Sequence, residues 1–183
     1  MFQYILAASL LFMENLNDFV PKIYFTFEQK LILGMNTLFQ NGVLEEVIAR
    51  MDNLTPQSQR EWGKMNVSQM MAHCTETFEM ATGRKNTPQL FIGKILGPLF
   101  KGKYLSEKPF DKNSPTGKDF IISNERDFEI EKQKLKAIMN DFVRGGLEKV
   151  TRHPHGFFGH LTPEQWGISM YKHMDHHLRQ FGV

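Results

Sequence analysis

The chain has 183 residues and, with 22 Lys+Arg against 20 Asp+Glu, a formal net charge of +2. That length suits one domain, which buries about two-thirds of its unfolded surface without needing a disulfide or metal staple. The balanced charge argues against a general nucleic-acid binder, the mean hydropathy of −0.37 excludes a polytopic membrane protein, and the single cysteine, Cys74, excludes an intrachain disulfide framework and suits a reducing, cytoplasmic setting.

Residues 1–13 (MFQYILAASLLFM) are mostly apolar, but they fall short of the roughly 20 residues a membrane span needs. No Lys or Arg precedes Lys22, so the basic n-region of a secretory signal is missing. Residues 14–34 carry Pro21 and an aromatic run (IYFTF) with no sustained period. Residues 1–34 therefore read as a loosely attached extension or as translation from an upstream start codon, with residues 35–183 as the working domain. The alternative is an extra helix packed on the core.

After Met35 helical spacing dominates. Leu44, Val47, Ile48 and Met51 follow the i, i+3, i+4, i+7 pattern of a first helix ending near Thr55-Pro56. Asn66 and Gln69 make a capping pair for a second helix over 67–82, closed by Gly83. Residues 90–100 are apolar but broken by Gly93, Gly97 and Pro98, which predicts a short irregular helix at best. Residues 101–122, rich in Pro, Gly and Lys, read as a long loop whose lysines could form a lid selecting an anionic substrate, although a solvated loop is the simpler account. Ser123 or Asn124 can cap a third helix, with Leu135, Ile138, Met139 and Phe142 on one face and Gly145-Gly146 at its end. Thr162-Pro163-Glu164-Gln165 starts a last helix running to about Phe181. The expectation is an all-α protein, a four-helix bundle with an insertion between its second and third helices.

Of the seven histidines, His73 stands alone and six fall between His153 and His177. At about 100° per residue, His177 lies about 40° and Gln180 about 20° from His173, on the face shared with Trp166 and Met170. Lys172, Asp175 and Arg179 fall on the opposite side and are expected in water. His176 sits at the edge. On the second helix, His73 shares its face with Met70, Thr77, Met80 and Ala81, so it too points inward. Two inward imidazoles one turn apart, with a third from a facing helix, can chelate one divalent ion and leave a position open. Hydrogen-bonded core histidines are the plainer alternative, and spacing alone does not choose between them.

Two segments carry a resemblance. WGKMNVSQMMAHC, from Trp62 to Cys74, and the C-terminal FFGHLTPEQWG…YKHMDHHLRQFG resemble the DinB-like superfamily of metalloenzymes, in the branch catalogued as domain of unknown function fifteen-sixty-nine. The resemblance runs from about Met35 to Val183. It implies an up-down-down-up four-helix bundle and a divalent metal held by His73, His173 and His177, the superfamily's pattern being one histidine on the second helix and H-x-x-x-H-x-x-Q on the last. The loop before that helix departs from the branch, which tends to read HPFFG where this chain has His153-Pro154-His155-Gly156-Phe157-Phe158-Gly159.

Characterised members of the superfamily include thiol-dependent enzymes. The resemblance thus implies a small-molecule substrate and a low-molecular-weight thiol, with a metal-dependent hydrolase or a non-catalytic binding module as alternatives. Three histidines suit zinc, nickel or iron. Glu76, one turn from His73, is the weak candidate for proton transfer, against a salt bridge as the plainer reading, and Gln180 is the expected orienting group behind a ligand. Cys74 is expected to be a buried, inert thiol, and His153, His155 and His160 exposed loop residues. No nucleic-acid or membrane partner is expected, and a homodimer is admissible.

Overall fold

The computed structural model describes residues 34–183, so the extension expected over residues 1–34 lies, but for Gly34, outside the described residues. Within them the chain is all-helical, with five α-helices and no strand: α1 (Val43–Asp52), α2 (Val67–Ala81), α3 (Phe91–Tyr104), α4 (Phe128–Gly145) and α5 (Pro163–Gln180).

The start signals act as capping chemistry predicts. Asn66 accepts the Gln69 N–H while Gln69 accepts the Asn66 N–H, and Thr162 and Gln165 do the same ahead of Pro163. These reciprocal bonds fix where α2 and α5 begin, and hence the register of every histidine on them. At α4 the cap is Asp127, which accepts from the Ile130 N–H, rather than the expected Ser123 or Asn124. Lys118–Phe120 forms a short 3-10 turn in the loop before α4.

One apolar core joins four of the helices. It takes Leu44, Val47 and Met51 from α1; Met70, Met71, Cys74 and Phe78 from α2; Leu135, Ile138, Met139 and Phe142 from α4; and Trp166, Met170, Met174 and Leu178 from α5. Arg50 adds an ion pair from α1 to Asp175 on α5 at 3.0 Å.

Two sequence expectations need correction. Residues 90–100 do not form a short irregular helix followed by a loop: α3 is a regular helix of 14 residues that runs through Pro98 and on to Tyr104. The glycines that suggest a break are what lets the helix dock. A Cβ at Gly93 would lie 2.6 Å, and one at Gly97 2.3 Å, from the Phe157 carbonyl oxygen. The second correction concerns Lys172, which is buried rather than in water. Its Nζ donates to the Tyr104 carbonyl at 2.6 Å and to the Ser106 carbonyl, satisfying the exposed C-terminal end of α3. The α5 wheel alone misplaces Lys172 because α3 covers that side.

Candidate metal centre

The three histidines meet. Candidate ligand atoms of His73, His173 and His177 all lie within 4.8 Å of one another. The rings stand 5.0 Å (His73–His173), 4.9 Å (His73–His177) and 4.6 Å (His173–His177) apart between centroids. His73 and His177 are buried, while His173 keeps part of its surface open.

What holds each ring decides which nitrogen faces inward. His73 Nδ1 lies 2.8 Å from the Phe120 carbonyl oxygen. A carbonyl can only accept, so His73 donates from Nδ1 and its Nε2 carries a bare lone pair. Gln180 donates its amide to the Trp62 carbonyl at 2.8 Å, which leaves Oε1 to accept from His177 Nδ1, also at 2.8 Å. Thr77 gives its proton to the Cys74 carbonyl at 2.7 Å and accepts from His173 Nδ1 at 3.3 Å. The tautomers follow from this network of acceptors. All three Nε2 lone pairs then converge, and those of His73 and His173 are 3.0 Å apart. Two facing lone pairs at that distance repel unless a cation lies between them. Two imidazole nitrogens on one tetrahedral zinc ion sit about 3.3 Å apart, close to the His73–His173 spacing, and with all three candidate ligand atoms within 4.8 Å of one another the donor set can close on a divalent ion.

Burial keeps the rings uncharged. Desolvation, with mutual repulsion among the rings, lowers the His173 pKa well below the ordinary value and that of His177 to about 3; desolvation lowers His73 as well. The neutral form therefore persists to lower pH than in a free imidazole, and no proton has to leave for a metal to bind near pH 7. Three ordinary imidazoles with pKa about 6.5 would together lose about 65-fold in fully neutral population between pH 8 and pH 6. For this protein the apparent metal affinity should change by less than about threefold over that range, as checked by competition titration at both pH values. In the metal-free protein the sign is the reverse of a stabilising charge. The unfolded chain binds protons that the folded one refuses, so stability falls as pH drops below about 6.5 and keeps falling towards the folded values.

Glu76 is not free: its Oε2 pairs with Lys85 Nζ at 2.5 Å, and Lys85 also donates to the Asp119 carbonyl. Gln180 lies behind His177, and Gly63 makes room for it, since a Cβ there would sit 2.4 Å from Gln180 Nε2. Cys74 is fully buried and desolvation pushes its thiol up, so it stays protonated. His176 stands outside the trio, its ring 5.1 Å from that of His177 and 5.7 Å from that of Trp62. His155 is not the exposed loop residue expected from the sequence. Its Nδ1 accepts the Phe157 and Phe158 N–H groups and its ring is desolvated, with pKa lowered to about 4. His153 and His160 are exposed.

Sequence reasoning missed the Phe120 and Trp62 carbonyls, because any residue supplies a carbonyl and no side-chain pattern marks one. It also missed Tyr104, whose hydroxyl bonds to Ser169, one turn before His173. Residues 36–182 match the model of a family described as protein of unknown function (DUF1569). No curated protein and no solved structure matches the chain.

Proposed function

Because the chain belongs to the DUF1569 family, which has no assigned activity, its function has to be argued from the site, and we propose a divalent-metal protein of the DinB-like superfamily whose ion is held by His73, His173 and His177. The observation that carries this reading is that one ligand atom from each of the three histidines lies within 4.8 Å of the other two, each ring being fixed by a separate oxygen at its Nδ1. The core shared by α1, α2, α4 and α5 supports reading those helices as the up-down-down-up bundle, with α3 as the insertion. The family match begins at residue 36, which supports treating residues 1–34 as an extension.

With three neutral ligands, a bound zinc, nickel or iron ion keeps its full positive charge and an open position at which a thiol or a water is acidified. The chain's own residues supply the rest. Gln180, tied to the Trp62 carbonyl, holds the His177 ring at the angle the site needs. The Phe120 carbonyl and Thr77 do the same for His73 and His173. His176, bordered by the rings of Trp62 and Phe110 and beside that of His177, replaces Glu76 in this reading as the side chain that accepts a proton beside the trio.

We favour a thiol-dependent transferase acting on a small molecule, and a hydrolase would use the same groups. A non-catalytic metal-binding bundle is the second reading, favoured by the Lys85 pair that takes Glu76 out of proton transfer. Metal-loaded protein given a low-molecular-weight thiol should consume an electrophile faster than the thiol alone, in proportion to metal content. A rate equal to that of the thiol alone, at full metal loading, would leave only the binding module.

A further inference from the structure

Helix α3 carries its large side chains on the outside. Phe91 is 78% exposed, Leu99 75%, Ile95 55% and Ile92 50%, whereas its buried positions are Gly93 and Gly97. At about 100° per residue these four side chains fill one arc directly opposite the two glycines. Lys94 and Lys101 border that arc on one side and Lys103 on the other. The helix itself carries three lysines and no Asp or Glu.

The helix is pinned in this orientation. Its glycines lie on the backbone of Phe157 and Phe158, Lys172 bonds the Tyr104 carbonyl at its end, and Lys101 Nζ donates to the His160 carbonyl at 2.5 Å. It cannot roll its apolar side inward without breaking all three attachments. A fixed apolar stripe edged by lysines has the composition of a helix that lies in the plane of a lipid interface. There the apolar side chains enter the acyl boundary and the ammonium groups meet anionic headgroups.

We infer that α3 is a docking face for an anionic lipid surface. This departs from the expectation of no membrane partner, which rests on the lack of a spanning segment. The contact proposed for α3 is peripheral, along its exposed side; among the described residues no helix is long and apolar enough to cross a membrane. A second copy of the chain fits less well. Two α3 faces laid together would set lysines against lysines, with no carboxylate on the helix to answer them. Lys103 does pair with Asp111, but both are exposed, and such a link competes weakly with a charged surface.

The test is flotation of the full chain with vesicles of phosphatidylcholine alone or mixed with phosphatidylserine, beside the double variant Phe91→Glu/Leu99→Glu. Both positions face solvent, so melting temperature and metal content should match wild type and report that the variant is folded. Wild type should float with the serine-containing vesicles at about 0.1 M salt and release at about 1 M, and the double variant should bind at least about tenfold more weakly. Three results would overturn the proposal. These are no flotation of wild type, equal flotation of the double variant (which would place binding in another segment, such as residues 1–33), or a concentration-dependent dimer that the substitutions abolish.

Discussion

Replacing His177 by Ala should lower metal affinity by more than about 100-fold, because even the removal of a group behind a ligand costs 10–100-fold. Wild-type protein purified with a divalent metal should hold one ion, and H177A should hold only trace amounts by elemental analysis. The same comparison can be read as stability. A ligand at about 100 times its Kd stabilises the folded state by about 2.7 kcal/mol, worth roughly 5–10 °C for a domain of this size. That upward shift on adding metal should appear in wild type and vanish in H177A. The substitution removes a neutral ring rather than a charge, since burial already holds His177 uncharged with a pKa of about 3. The metal-free variant should therefore fold, with only the modest cost of a cavity beside Gln180. Equal metal in both proteins would mean that the ion sits elsewhere.

Gly97→Val should destabilise the protein by about 3 kcal/mol, although valine is the better helix former by several tenths of a kcal/mol. The new Cβ would come within 2.3 Å of the Phe157 carbonyl oxygen and 3.2 Å of the Phe158 Cα, both main-chain atoms with no rotamer to escape into. Helix α3 would have to lift, taking with it the acceptors of Lys172 and the Tyr104–Ser169 bond one turn from His173. At Gly102, on the same helix, an added methyl group would meet nothing within 4 Å. Gly102→Ala should accordingly stabilise by up to about 1 kcal/mol. Urea denaturation of the two variants beside wild type checks both signs. A stable Gly97→Val protein would show that α3 docks differently.

Much of the fold was legible in local chemistry. Asn66 with Gln69, and Thr162 with Pro163 and Gln165, announce helix starts through bonds that reach only three residues, so the sequence is sufficient to find them. The same holds for Leu135, Ile138, Met139 and Phe142, whose spacing alone places them inward, where the core has them. Helix α3 was not legible. Gly93, Gly97 and Pro98 are poor helix residues by propensity, and the compensation comes from a loop some sixty residues further on, which no local pattern contains. The stripe of Phe91, Ile95 and Leu99 misleads for a related reason: apolar periodicity signals one face, but not which face is buried.

The sequence by itself determined the all-helical class and the register that puts His173, His177 and Gln180 on one face of α5, because 3.6-residue periodicity and end-capping are local physics. Which of seven histidines meet was decided only by tertiary structure, since His73 lies a hundred residues from His173 and their 3.0 Å approach depends on how α2 packs against α5. Tertiary structure also decided which ring nitrogens face inward, through the main-chain carbonyls of Phe120 and Trp62. Carbonyls are present at every residue, and only the folded path of the backbone brings those two behind the imidazoles.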